Sequence, residues 1–200
     1  MVIFDLDGVL VDACEWHRIA LNEALKEICG YKISLEDHYK VYNGIPTRKK
    51  LEILTSKKLV TLEQHELVYK SKQKKTIEII NKNATIRPEK QEIIKYLKES
   101  GIIVACYTNS IRKTATLMLE KTGILEMFEY ILTNQDVTHP KPDPEGYNFL
   151  MKHFSISPAR TLIFEDSPKG LAAAKSSGAN VIQVSGPEEV NLKLIKECLR

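Results

Sequence analysis

Asp5-Leu6-Asp7-Gly8-Val9 closes a short apolar run with two carboxylates at i and i+2, so both project from the same side of the chain. Paired carboxylates at such a point are the residue types that nucleophilic attack and proton transfer require. The plainer alternative is a strand-ending turn rich in Asp and Gly, with Gly8 permitting the sharp departure. Thr108-Asn109-Ser110 follows a second apolar run and opens a helical stretch, where free backbone N–H groups and hydroxyls make a place for an anion. Taken alone it is also an ordinary helix cap. Lys141-Pro142-Asp143-Pro144 is a loop bracketed by prolines that carries one cation, and Glu165-Asp166 is an acidic pair where a further apolar run stops. Each has a bland reading by itself. Together they place carboxylates, hydroxyls and a cation at strand ends or in the loops just beyond.

Val2-Ile3-Phe4, Ile102-Ile103-Val104-Ala105-Cys106, Tyr130-Ile131-Leu132, Thr161-Leu162-Ile163-Phe164 and Val181-Ile182-Gln183-Val184 are read as strands too apolar to have one wet face. Strands buried on both sides belong to parallel sheets covered by helices. Helical stretches do separate them: one opens at Arg87-Pro88 and stops at Ser100-Gly101, one runs from about Ser110 to Gly123, one starts near Pro144, and one follows Pro168 and ends at Gly178. The alternation predicts a doubly wound, Rossmann-like α/β core with a parallel sheet. Residues 13–83 break it, with helix signals and almost no strand signals. Ser34-Leu35-Glu36-Asp37 and Thr61-Leu62-Glu63-Gln64 resemble capping boxes, and Ile19, Ala20, Glu23, Ala24, Glu27 and Ile28 have helical spacing. The expected organisation is a core of residues 1–12 and 84–200 with an inserted all-α cap domain over 13–83. The insertion follows the first strand, at whose carboxyl end an open α/β sheet places ligands, so it is expected to cover that site.

The ordered set Asp5-Leu6-Asp7-Gly8-Val9-Leu10-Val11-Asp12, Thr108-Asn109, Lys141-Pro142 and Glu165-Asp166-Ser167 resembles the four motifs of the haloacid dehalogenase superfamily, over essentially the whole chain. The helical insertion and Glu165-Asp166-Ser167-Pro168-Lys169-Gly170 resemble its phosphatase and β-phosphoglucomutase branch. The resemblance implies a Mg²⁺ cofactor held by the Asp5 carboxylate, the Asp7 backbone carbonyl and Asp166, with Glu165 a ligand or an outer-shell helper. It implies that Asp5 attacks phosphorus and forms an aspartyl-phosphate, that Asp7 protonates the leaving alcohol and later takes a proton from water, that Lys141 neutralises phosphoryl oxygens, and that Thr108 and the Asn109 N–H bind them. Physically, a carboxylate approaching a phosphate ester meets repulsion of about 4 kcal/mol per charge pair at about 4 Å in an effective dielectric near 20, so attack needs counter-charge.

In the insertion, His17 stands where relatives of this branch carry a histidine facing the site; the alternative is a surface histidine. Gly44-Ile45-Pro46-Thr47-Arg48 resembles the substrate-specificity loop of the cap. Arg48 is read either as a clamp for a second anionic group or as a solvated arginine at a helix start. The expected activity is hydrolysis of a small phosphomonoester. A β-phosphoglucomutase-like sugar phosphate mutase and a non-catalytic phosphate-ligand binding protein are the alternatives. Against the mutase, position 13 is Ala where mutases carry Thr, and Arg48 falls one place later than their phosphate-binding Arg.

The 200 residues, 43% hydrophobic and 28% charged, describe a globular chain with room for one core and a small accessory domain. A net charge of +3 is too small for a dedicated polyanion binder. Tyr69-Lys70-Ser71-Lys72-Gln73-Lys74-Lys75 is read as the solvated face of a cap helix, since it lacks the aromatics of a stacking platform, and no nucleic-acid partner is expected. The cysteines Cys14, Cys29, Cys106 and Cys198 form neither a CxxC pair nor a zinc pattern. No apolar run approaches the roughly 18 residues of a membrane span. Val2-Ile3-Phe4 meets Asp5 without a basic region or cleavage site, so a cytoplasmic monomer with no membrane partner is expected.

Overall fold

The computed structural model describes residues 1–199. The chain divides into two compact units, Met1–Asp12 with the chain from Ala84 onward, and Ala13–Asn83.

The first unit is built on a five-stranded sheet. Its strands are β1 (Val2–Phe4), β2 (Val104–Tyr107), β3 (Tyr130–Leu132), β4 (Leu162–Glu165) and β5 (Asn180–Gln183). All neighbours pair in parallel, in the order β3-β2-β1-β4-β5. Side chains alternate across a strand. Ile3 therefore shares a face with its register partners Ala105 and Ile163, and that face packs with Tyr147, Leu150, Ala173 and Ala174. Phe4 lies on the other face with Cys106 and Phe164, its ring stacked on Phe164 at 5.1 Å between centroids. Both faces of the central strands are closed to water, each large apolar side chain contributing about 1.5–3 kcal/mol by its burial.

The helices of this unit are α5 (Pro88–Glu99), α6 (Arg112–Lys121), α7 (Glu145–His153), α8 (Pro168–Ser176) and α9 (Leu192–Cys198), four others preceding them in the second unit. α5 starts with Pro88 in its first turn and buries Ile93, Ile94 and Leu97. α8 has Ser167 as N-cap, its hydroxyl accepting from the Gly170 N–H. Several expectations need correction: β3 is half-buried at Tyr130 and Ile131, and Thr161 and Val184 fall outside β4 and β5. Ile102 and Ile103 precede β2, which instead takes in Tyr107. β5 is not buried on both sides: Asn180 and Gln183 are exposed and Val181 and Ile182 half-buried, because an edge strand has β4 alone beside it.

The second unit is all-helical: α1 (Cys14–Cys29), α2 (Leu35–Asp37) passing into a π-helical turn over His38–Tyr42, α3 (Thr47–Ser56) and α4 (His65–Asn83). Ser34 caps α2, its hydroxyl accepting from the Asp37 N–H. Thr61 and Gln64 close a full capping box ahead of α4. The core gathers Leu21, Ala24, Leu25, Leu51, Leu54 and Val68. Within it, buried Asn22 exchanges two hydrogen bonds with the Ile33 backbone, at 3.0 and 2.9 Å, which ties the α1 face to the loop after it. The lysine run on α4 is not uniformly solvated: Lys70 is exposed, but Lys72 turns inward and is buried. No helix of the described residues is long and apolar enough to cross a membrane.

Candidate active site

Strand register brings the polar groups together. Phe4 is level with Cys106 and Phe164, so the next position on β1, Asp5, is level with Tyr107 and Glu165. The Asp5 N–H continues the ladder to the Phe164 carbonyl at 3.0 Å. β1 is where the strand order reverses: the chain builds β2 and β3 to one side of it, then β4 and β5 to the other. Open α/β sheets bind ligands beyond the carboxyl ends of their strands at such a point. Beyond these ends lie Asp5, Asp7, Thr108 and Asn109, with Glu165 closing β4 and Asp166 following it.

Lys141 reaches into this group from its loop. Its Nζ donates to Asp5 Oδ1 at 2.7 Å, to the Tyr107 carbonyl at 2.9 Å and to Glu165 Oε1. The Tyr107 and Tyr147 rings lie 4.7 and 5.2 Å from the same nitrogen. Lys141 is 3% exposed, which makes it a fixed internal cation and not a mobile surface lysine. Asn109 holds the loop in place: its side-chain amide donates to the Lys141 carbonyl at 3.0 Å and its Oδ1 accepts from the Lys141 N–H at 3.1 Å. A side chain that makes both bonds of a peptide group leaves that loop little freedom.

Asp7 is oriented by hydroxyls. Its Oδ2 accepts from Thr108 Oγ1 at 3.0 Å and Ser110 Oγ at 2.9 Å, and Thr108 Oγ1 in turn accepts from the Ser110 N–H at 2.9 Å. Gly8 has φ +94°, and a Cβ there would run into the Asp166 carboxylate. That position requires glycine for its backbone conformation and for the approach of Asp166.

Glu165 is fully buried and surrounded by donors. Oε1 accepts from Lys141 and from the Tyr147 hydroxyl at 2.9 Å. Oε2 accepts from the Asp166 and Ser167 N–H groups at 3.1 and 3.3 Å and from the Ser167 hydroxyl at 3.4 Å. Burial, with Glu165 adding to it, pushes the Tyr147 phenol well above its ordinary range, so it is a donor at neutral pH.

Negative charge is in excess here. Burial pushes the Asp5 carboxyl well above its usual range; Lys141 opposes this, and Glu165, Asp166 and Asp7 reinforce it. Burial followed by the charges of Glu165 and Asp7 raises Asp166 to about 7. Burial alone would lower the Lys141 ammonium, but Asp5 and Glu165 outweigh it and hold that group well above the ordinary lysine value. The Lys141 ammonium thus pairs with Asp5 and Glu165 while Asp7 and Asp166 crowd the same place. Asp5, Glu165 and Asp166 each offer an oxygen, and these lie within 4.8 Å of one another. A crowded, all-oxygen donor set of this kind fits a hard divalent cation such as Mg²⁺.

The remaining candidates lie in the helical unit. His17, on α1, has Nδ1 3.1 Å from Lys72 Nζ. Gly44 takes φ +73° in the turn before α3. Arg48 is largely exposed; its guanidinium lies over the Tyr69 ring at 4.5 Å and 3.7 Å from Glu66. Sequence reasoning did not find Tyr147, read Lys72 as part of a solvated face, and took Ser110 as part of an anion place and not as a donor to Asp7. Ser110 was legible as a member of the Thr108-Asn109-Ser110 turn. Tyr147 reads as any core aromatic, although a buried phenol needs a partner, which is a signal in itself.

The haloacid dehalogenase-like hydrolase family model matches residues 2–184. This chain belongs to that family. Like other haloacid dehalogenase-like hydrolases it is an enzyme with a Rossmann-like core, and its helical insertion places it in the phosphatase and β-phosphoglucomutase-like branch. It is 28% identical to the phosphorylated carbohydrates phosphatase of Thermotoga maritima over 99% of both chains. It is 26% identical to pyrophosphatase PpaX of Bacillus velezensis, over 92% of this chain and 82% of that one. Among solved structures it resembles β-phosphoglucomutase from Clostridium difficile, with a TM-score of 0.83 and 22% identity over 98% of this chain and 95% of the other. At that identity the likeness is one of fold.

Proposed function

We propose that this haloacid dehalogenase-like hydrolase is a Mg²⁺-dependent phosphatase of small phosphomonoesters that works through a phosphorylated Asp5. The observation that carries the reading is the pairing of buried Asp5 with Lys141 at 2.7 Å beside an Asp7 held separately by hydroxyls. Two carboxylates in unlike surroundings suit two roles, Asp5 the anion for attack once Lys141 and a bound cation offset its buried, crowded setting, and Asp7 the proton carrier.

Asp5 attacks phosphorus; the new bond is carboxylate oxygen to phosphorus, and the bond to the ester oxygen breaks. Asp7 gives its proton to the departing alcohol. In the second half, Asp7 takes a proton from water as that water attacks the same phosphorus, which restores Asp5 and releases inorganic phosphate. Thr108 and Ser110 keep Asp7 aimed, and acid–base help of this kind is worth about 10²–10⁴-fold. The Asn109 N–H would meet the phosphoryl oxygens as charge redistributes, with the Lys141 ammonium offsetting their charge from beside Asp5. Asp5, the Asp7 carbonyl and Asp166 would hold Mg²⁺, which when bound supplies counter-charge to the phosphoryl group and to the acidic cluster.

The full-length likeness to a phosphorylated carbohydrates phosphatase supports sugar phosphates as the substrates to try first; nucleoside monophosphates and phosphoglycolate belong in the same panel. The test is phosphate release from that panel with Mg²⁺ or EDTA, with β-glucose 1-phosphate and its bisphosphate primer assayed in parallel for isomerisation. Mg²⁺-dependent release that EDTA abolishes is the expected result. Isomerisation without net release would replace the phosphatase by a mutase, and silence in every assay would leave a phosphate-binding protein.

A further inference from the structure

Glu165 is one of three carboxylates whose oxygens come close enough to share a cation, yet its hydrogen bonds set it apart from Asp5 and Asp166. A carboxylate oxygen has about two acceptor sites. On Oε1 both are taken, by the Lys141 ammonium and the Tyr147 phenol; on Oε2 they are taken by the Asp166 and Ser167 N–H groups, with the Ser167 hydroxyl further off. The carboxylate also has nowhere to turn. It is fully buried, and a Cβ at Gly170 would collide with it, so it lies directly against the first turn of α8. Lys141 is equally committed, its three N–H groups matched by Asp5 Oδ1, the Tyr107 carbonyl and Glu165 Oε1. Of the donors on Oε1, the phenol is the one that can be removed without touching the cation.

We propose that Tyr147 is a positioning residue: by completing the donor set of Glu165 it withholds this carboxylate from the metal and fixes it as the seat that holds the Lys141 ammonium against Asp5. The cation site is then Asp5 and Asp166 with backbone oxygen, and Glu165 is a strut. The phenol acts through Glu165 on Lys141 and touches no reacting atom. This inference rests on the phosphatase reading above.

Tyr147→Phe keeps the ring beside Lys141 and its packing on Tyr107 but removes the donor. With Oε1 relieved of one hydrogen bond, that oxygen has an acceptor site open to the metal where it stands, and its hold on Lys141 slackens. The expected result is Mg²⁺ binding that tightens about threefold or more, read by calorimetry on substrate-free protein, together with kcat lowered about 10- to 100-fold, the range seen when outer-shell partners are lost, and KM within about twofold of wild type. A structural role alone would lower the melting temperature and leave kcat per folded molecule and Mg²⁺ affinity where they were. Unchanged kcat, or unchanged or weaker Mg²⁺ binding, overturns the inference. A wild-type chain that neither binds Mg²⁺ nor releases phosphate overturns the phosphatase reading and this inference with it, whereas a competent wild type with an indifferent Tyr147→Phe overturns this inference alone.

Discussion

At the scale of single residues, Lys141 carries two burdens that mutation would separate. It neutralises Asp5 and Glu165 in a place closed to water, so removing it leaves buried charge uncompensated. Lys141→Met is expected to lose about 3–5 kcal/mol of stability, the typical cost of breaking a buried ion pair from one side, measured by urea unfolding. Turnover of the protein that still folds should fall by about 10²–10³-fold or more, the effect of deleting a donor aimed at developing charge. Asp5→Asn should behave in the opposite way. It removes one of several crowded carboxylates, so the melting temperature should hold or rise while phosphate release drops below detection, and turnover near wild type would sink the assigned nucleophile. Asp5, Asp7, Lys141 and Asp166 were legible in the sequence because each is a charged residue where an apolar strand stops or a proline-bounded loop begins. Tyr147 and Lys72 were not, because their meaning lies in partners 18 and 55 residues away. Nothing local marks Lys72 among the neighbouring lysines, and the π-helical turn over His38–Tyr42 has no signature of its own in the sequence.

Secondary-structure elements here deliver the site by their ends. The turn from β4 into α8 shows how tightly this is done: Glu165 ends the strand, Ser167 caps the helix, and Gly170 leaves the space the Glu165 carboxylate occupies. Gly170→Ala is expected to destabilise the protein by about 1–3 kcal/mol, as overpacking does, although alanine is the better helix former. Thermal melts that show a more stable variant would mean the Glu165 carboxylate can move aside. In the helical unit, Thr61→Ala removes the hydroxyl half of a capping box and should cost about 1 kcal/mol, read in the same way. The elements were largely legible because their signals are short-range: Pro88 and Gly101 around α5, apolar runs for β1 to β4, the paired Thr61 and Gln64 ahead of α4. Their edges were less so. Ile102 and Ile103 are as apolar as strand residues yet precede β2, whose register is set by β1, and β5 is half-wet because of its place in the sheet order, which no residue within it encodes.

At the scale of the whole molecule, the sequence announced its division into units through a change in periodicity, from strands alternating with helices to helices alone, and the boundary fell where strand signals ceased and resumed. What it did not announce was how charge is distributed inside the helical unit. Burial there, followed by the charges of Lys50 and Arg18, lowers His38 to about 4, with His17 adding to this and Glu15 opposing it. A histidine whose folded pKa lies below its unfolded value near 6.5 is neutral when folded, so the unfolded chain takes up the extra proton between those values. Stability is therefore complete above pH about 6.5 and is lost as pH falls toward about 4, by up to about 3 kcal/mol from this group. Urea unfolding at pH 7 and pH 5 should show the loss, and His38→Gln should flatten that slope whatever it does to stability at pH 7. An unaltered slope in the variant would assign the acid sensitivity to other groups.

The sheet order also dictates a sequence of events in time. β1 is made before both of its neighbours, which begin at Val104 and Leu162, and the helical unit is made before either of them. The centre of the sheet therefore cannot close until Leu162–Phe164 has been synthesised, and long-range parallel pairing is the slow kind. The contacts of residues 13–83, by contrast, are complete in sequence before either partner strand exists. On a nascent chain the apolar Val2-Ile3-Phe4 therefore stays unpaired until Val104 and Leu162 have followed it, the kind of exposed strand edge that makes a partly made chain prone to aggregate.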